Sequence, residues 1–305
     1  MRKLILILLL SLLTITMFAN RIDSSLNGLN YTGLKRLVRR VYMVRQDFGQ
    51  DTEYLDTRDY CYFNNKGEID HIDSFLGNTA VDSKTVYKRT FDPKAIERIK
   101  YNKFNDLEGR ELEIWNDRDG TSSYTRYGGY VDIIERVVAV QDTVEKTIKE
   151  TFYDEVGFAL FSNRITLNDF GRQVEKVEVN ESDEPVFYYK ISYNELGLVE
   201  NEKKLTYKDS LVAVTKYSYN NRGKLSRVAA FDGQEKMTAL HENLYDVENR
   251  LVEERFFKIN PKYGIIPVLK KIHRYDYEET SKYRRQMKEI RKKREKEYEK
   301  SRKKD

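Results

Sequence analysis

Gly171, Gly197, Gly223 and Asn249 stand 26 residues apart, and each closes the same phrase: a strand-like run, then Asn or Asp, then two variable residues. The four phrases read TLNDFGRQ, SYNELGLV, SYNNRGKL and LYDVENRL. Self-similarity at a fixed period marks a repeat architecture and restricts the fold more than any composition value does. The side chains of Asn168, Asn194, Asn220 and Asp246 can bond the backbone two residues on. Three positions later Gly meets no Cβ clash, and Asn tolerates the left-handed region better than most residues. A type I turn ending in a left-handed residue is a hairpin connection, so the period predicts β-hairpins in series. Upstream copies at FNNKGEI, FDPKAIERI and YDEVGFAL add Asn64, Gly67, Asp154 and Gly157 to the turn set, while Ala95 in the middle copy breaks the rule.

Because 26 is even and strand side chains alternate with period 2, equivalent residues of successive repeats fall on one face. Val179, Leu205, Phe231 and Phe257 form one column. Leu167, Tyr193, Tyr219 and Tyr245 form a second, and Val199, Leu225 and Leu251 a third that Gln173 begins. All are odd-numbered, as are Phe187, Tyr189 and Ile191, which predicts one core-like face. Lys190, Ser192, Lys216, Ser218, Glu202 and Glu254 are then assigned to a wetter one. The opposite connections, NESDEP, YKDS, FDGQ and INPKYG, differ in length and composition, which predicts variable loops along one edge. With 23 Tyr and 14 Phe against four Pro, composition favours strands, since aromatic side chains fit a pleated half-buried surface and Pro does not.

The expectation is an all-β fold. It is an antiparallel meander of roughly 14 to 18 strands over residues 32–278, more than a twisted open sheet holds flat, so it becomes a curled sheet or open barrel-like solenoid. Residues 1–19 read as a signal peptide, 20–31 as a linker, and 279–305 as a basic charged tail, helical or disordered. The leader assignment rests on Arg2 and Lys3 before an apolar run from Leu4 to Phe18 and small Ala19, and it implies export to the periplasm or outside the cell. Cys61 is the single cysteine, which excludes an internal disulfide framework.

At this point a family resemblance can be given. YSYNNRGKLSRVAAFDG is similar to the YD repeat of Rhs-type bacterial proteins, and NYTGLKRLVRRVYMV followed by YCYFNNKGEI resembles the opening of small secreted bacterial proteins with such repeats. The resemblance covers most of the chain after the leader. It implies a β-sheet shell; in large members the repeats wind around a toxin domain, and some members are described as carbohydrate-binding. The spacing here is longer than is usual for those repeats and the chain is too short to enclose a cargo domain, so fold carries over better than function.

Residues 282–305 hold 13 Lys or Arg against five Asp or Glu, a net of +8. The overall charge is +5, so without that tail and the two leader cations the body is −5. Arg284, Arg285, Lys288, Arg291, Lys292, Lys293 and Arg294 head this basic segment. It has strong helix formers and no apolar stripe, so attraction to an anionic polymer fits it better than coiled-coil pairing or membrane insertion.

No catalytic constellation stands out. His71, His241 and His273 lie far apart in strand-like text, and His241 shares the column of Tyr189, which reads as packing. Cys61 in YCYF reads as a buried small hydrophobe, although a base such as His71 would be needed to make it a nucleophile. Asp117, Asp119 and Gly120 have some character of a short calcium loop but lack the terminal bidentate Glu, and a D-G turn accounts for them. The expectation is therefore a non-enzymatic, cofactor-free exported binding or scaffold protein. Its tail and sheet edge would contact an anionic envelope polymer, a glycan or a protein, and secretion argues against nucleic acid. A structural envelope or secretion-associated component, and a hydrolase with an unrecognised site, are the alternatives. An outer-membrane barrel conflicts with Lys203, Arg227 and Arg255, whose charges would meet lipid.

Overall fold

The computed structural model describes residues 33–47, 50–129, 131–259, 267–282, 284–285, 288–290 and 292. The expected signal peptide and linker, the INPKYG loop beyond Ile259, and Arg291, Lys293 and Arg294 lie outside the described residues. Eighteen strands make one sheet. The first nine are β1 (Leu34–Asp47), β2 (Gln50–Phe63), β3 (Ile69–Leu76), β4 (Val81–Phe91), β5 (Lys94–Asn102), β6 (Leu107–Asn116), β7 (Thr121–Tyr127), β8 (Ile133–Asp142) and β9 (Thr147–Tyr153). The others are β10 (Ala159–Leu167), β11 (Gln173–Asn180), β12 (Pro185–Tyr193), β13 (Val199–Thr206), β14 (Leu211–Tyr219), β15 (Leu225–Asp232), β16 (Met237–Tyr245), β17 (Leu251–Ile259) and β18 (Pro267–Glu279).

Every strand pairs antiparallel with its neighbours in sequence, and β1 pairs with both β2 and β18. The meander is a closed barrel, not the expected open curl. Closure satisfies the ladder groups that an edge strand would leave unpaired, so the expected contact through a sheet edge has no edge to use. What remains at each end is a rim of turns. Turns after even-numbered strands form one rim, here the repeat rim, and turns after odd-numbered strands form the other.

The repeat phrases build five-residue turns. Asn168 N donates to Arg172 O at 2.8 Å, Gly171 N donates to Asn168 O at 2.9 Å, and Asn168 Oδ1 accepts from the amides of Phe170 and Arg172. Gly67, Gly157, Gly171, Gly197, Gly223 and Asn249 all have positive φ, between 64 and 91°. The Asp154–Gly157 turn follows β9 and so sits on the rim opposite the other five. The opposite connections are more regular than their sequences suggest: Asn180–Glu184, Thr206–Ser210 and Asp232–Lys236 make the same pair of backbone bonds. Their left-handed position is held by Asp183, Asp209 and Glu235, which carry no glycine signal. FDPKAIERI departs from the pattern. Phe91 pairs with Lys94 across Asp92 and Pro93, and Ala95 lies inside β5.

A one-residue bulge accompanies each of these five-residue turns, as between Ser192 and Tyr193 or between Glu178 and Val179. The extra residue makes paired positions sum to an odd number, so the face carried by odd residues in β12 is carried by even residues in β11 and β13. This corrects the single odd-numbered face. Tyr189 lies directly beside Lys176 and Lys204, and Asn243 beside Glu254, on one side of the sheet. Arg39, Ile72, Tyr87, Arg98, Glu111 and Arg126 of that same side line one groove although they come from β1 and β3–β7, which only the concave wall permits. Glu202 and Glu254 therefore point into the barrel, not onto the wet face, whereas Val179, Leu205, Phe231 and Phe257 point out.

The tyrosine column has a specific task at the repeat rim. Tyr193, Tyr219 and Tyr245 point inward, and each hydroxyl donates to a backbone carbonyl of the preceding repeat: Gln173 at 2.6 Å, Val199 at 2.7 Å and Leu225 at 2.8 Å. Tyr277 does the same to Leu251 at 2.8 Å. Those acceptors are the third column. Near the closure, Leu34, Leu37, Cys61, Ile69, Ile72, Leu251 and Tyr275 form a buried apolar cluster, against which Phe63, Tyr87, Tyr245 and Tyr277 pack.

Candidate functional site

The densest chemistry lies on the inner wall where the barrel closes. Asp59 on β2 faces Arg39 on β1, which faces Tyr275 on β18. The Arg39 guanidinium donates twice to one Asp59 oxygen, at 2.8 and 2.6 Å. Glu254 on β17, 5 % exposed, accepts a short hydrogen bond from the Tyr275 hydroxyl and lies 3.0 Å from His273 Nδ1 and 3.5 Å from His241 Nε2. The Phe256 ring stacks on His241 with centroids 4.4 Å apart and meets His273 at 4.7 Å.

Burial alone would raise the Glu254 carboxyl, but the nearby His241 ring and hydrogen bonds with His273 and Tyr275 outweigh it and hold the group far below the usual carboxylate range. Burial pushes the His273 imidazole below its ordinary value, with Arg39 and Lys271 adding repulsion, against partial support from Glu254. A carboxylate that fixes Nδ1 leaves Nε2 as the working nitrogen, the orientation a general base requires. Here His273 Nε2 makes no hydrogen bond, and neither does Asn243 Oδ1. The pair is thus not joined to a hydroxyl or thiol nucleophile.

Farther round the inner wall the same materials recur in a weaker form. Tyr189 donates to Glu178 at 3.2 Å, and the ammonium groups of Lys176 and Lys204 lie over the Tyr189 and Phe187 rings at 3.9 and 3.8 Å. Burial lowers the Lys204 ammonium. The groove between β1 and β8 encloses about 360 Å³. Its cations are matched: Arg98 to Glu113 at 2.7 Å, Lys100 to Glu108 at 2.7 Å and Arg126 to Glu135 at 3.1 Å.

The remaining sequence candidates separate. Cys61 is fully buried and faces inward opposite Ile72, whereas His71 projects from the outer face and stacks on Tyr62 at 4.4 Å, so they form no dyad. In the NDRDG turn, Asp119 accepts from the amide and hydroxyl of Thr121, and Gly120 takes the positive φ. No group of three or more His, Cys, Asp or Glu arranged to hold a metal occurs among the described residues. The tail leaves from the repeat rim, where Thr280 N donates to Gly33 O at 2.8 Å and Arg284 donates to Glu279 O. Arg284, Arg285, Lys288 and Lys292 are exposed, and helix is described only at scattered positions between Ser281 and Lys292, not as a continuous element. Sequence reading missed the Arg39–Asp59 and Tyr275–Glu254 links. Their one visible signal was Glu254 standing two repeats from Glu202, and the wrong face assignment hid it.

No family model matches this chain, and no curated protein matches it. Among solved structures it is similar to a porin-like protein from Bacteroides uniformis, at 8 % identity and a TM-score of 0.43, over 81 % of this chain and 99 % of that one. A second likeness is to the Photorhabdus luminescens Tc holotoxin pore, at 11 % identity and a TM-score of 0.28, over 76 % of this chain and 15 % of that one. The closed barrel rests on its own strand pairing.

Proposed function

We propose that this protein is an exported binding or scaffold module that works by non-covalent association, with the barrel as a rigid body and the basic tail as an electrostatic contact for an anionic polymer or acidic partner. The observation that carries this reading is the placement of opposite charge: a body of −5 with a +8 tail leaving from one rim. The groove supports it as well, because its cations Arg98, Lys100 and Arg126 are paired with carboxylates. A membrane-spanning barrel is the weaker reading. Lys203, Arg227 and Arg255 project from the outer wall in the middle of their strands, and each such cation would cost about 2–4 kcal/mol at a bilayer midplane. Deleting residues 282–305 should weaken binding to anionic polymers at low salt while the β circular-dichroism signal persists. Added salt should weaken the intact protein likewise, since exposed charges are screened beyond about 8 Å at physiological ionic strength. Unchanged, salt-insensitive binding after deletion would refute the tail's role.

A further inference from the structure

The outer wall divides into two electrostatic regions. Around β17, β18, β1 and β2 most of its cations are matched with carboxylates: Arg36 with Glu278 at 2.7 Å, Arg40 with Asp276, and Arg274 with Glu53 at 2.7 Å and Glu253 at 2.9 Å, while Arg58, directly opposite Arg40, lies over the Tyr60 and Phe75 rings. From β9 to β15 the arrangement is different. Lys149, Arg164, Lys190, Lys203, Lys216 and Arg227 are all exposed on the outer face, and among them only Arg164 has an ion pair, with the exposed Asp183. Lys149 stands directly opposite Arg164, and Lys190 directly opposite Lys203. Like charges in those positions repel and cost stability. Lys216 lies opposite Asn201, and Arg227 opposite Ser218, so the row continues by stepping two residues toward the repeat rim. Glu175 on β11 stands within the row beside Lys190, and Glu242 borders it beside Arg227; neither makes an ion pair with the row.

Six strand-to-strand steps at about 4.8 Å give the row a length of roughly 29 Å. A row of cations that, Arg164 apart, have no carboxylate partner attracts a ligand whose negative charges are themselves in a line. Between the cations stand Ser192, Asn201 and Ser218, short polar groups suited to hydroxyls and carboxylates. The row carries no exposed aromatic ring on which a base could stack. We infer that the outer wall of β9–β15 is a docking stripe for a linear anionic polysaccharide, read by charge and lying across the strands. This deepens the proposed association with an anionic polymer and rests on that reading, but it places recognition on the barrel wall as well as on the tail.

The test compares two triple variants of the full chain with equal loss of charge: K190Q/K203Q/K216Q in the stripe, and K66Q/K84Q/K88Q at exposed positions on β4 and on the Asn64–Gly67 turn of the rim. Heparin and polygalacturonate are the anionic polysaccharide probes, oligo-dT the nucleic-acid probe. The stripe triple should lose at least 10-fold in polysaccharide affinity, and its plot of log affinity against log salt should flatten by about two to three, near one per cation removed. The other triple should lose less than 2-fold. Should the stripe triple misfold by circular dichroism, Lys203→Gln alone carries the comparison. Equal losses in both triples, or tighter binding of oligo-dT than of either polysaccharide, would overturn the stripe. Tail deletion separates the two readings: loss on deletion with an inert stripe triple keeps the tail and removes the stripe, and the reverse keeps the stripe and removes the tail.

Discussion

At the closure, Leu37, Cys61, Leu251 and Tyr275 are 0–4 % exposed, whereas from β12 to β15 only Tyr189, Val214 and Ala229 are buried among the described residues. The repeat wall is held by local devices: five-residue turns, bulges, and a tyrosine hydroxyl on the carbonyl of the preceding repeat. The closure adds a packed apolar cluster and two neighbouring sets of buried polar groups, Arg39 with Asp59 and Glu254 with Tyr275 and His273, set side by side where Arg39 stands opposite Tyr275. Identical hairpins stack by nearest-neighbour contacts and contain nothing that says when to stop. Joining the last strand to the first requires side chains that do not repeat. A buried network of paired charges is one way to favour a single register there, because a slipped register leaves charges unpaired in a poorly solvated place.

The sharpest way to break this comparison uses two residues two repeats apart. Glu254→Ala strips partners from Tyr275, His273 and His241, and should cost about 3–5 kcal/mol, the usual penalty for breaking a buried charged network. Glu202→Ala, on the inner face of β13, should cost less than about 1 kcal/mol. Urea denaturation midpoints of the two variants decide it, and equal midpoints would remove the distinction between closure and repeat wall.

A smaller effect tests the repeat wall by itself. Gly223 needs positive φ and Asn221 in the same turn does not, so Gly223→Val should destabilise by about 1–3 kcal/mol more than Asn221→Val. Equal thermal midpoints would mean that the turn register matters less to the wall than its hydrogen bonds imply.

The smallest expected effect is a pH dependence belonging to the closure. The folded-state pKa of His273 is below the ordinary 6.5, so the unfolded chain takes up the proton first. That contribution to stability is complete above about 6.5 and is lost as pH falls through the lower folded value. Glu254, with its pKa depressed from 4.5, keeps its contribution above that value and loses it only under stronger acid. Urea midpoints at pH 7 and pH 5 should therefore differ in the native sequence, and His273→Gln should reduce the difference. A His273→Gln protein with the native slope would assign the acid sensitivity elsewhere.

Turn chemistry and period were legible in the residues. Asn followed three positions later by Gly specifies a local backbone shape whatever surrounds it, so strand series and hairpin order follow from sequence. The same turn at Asp183, Asp209 and Glu235 escaped notice because non-glycine residues in the left-handed region leave no mark in text. Which wall each side chain faces was not legible, since one bulge per hairpin inverts the alternation and a bulge is a property of two paired strands. Closure, the meeting of Arg39 with Tyr275 across more than 230 residues of chain, and the contrast between matched and unmatched cations on the outer wall came from tertiary structure alone. The reason is physical: a turn is set by dihedral preferences within five residues, whereas a ring of eighteen strands is set by which distant side chains can be buried or neutralised together.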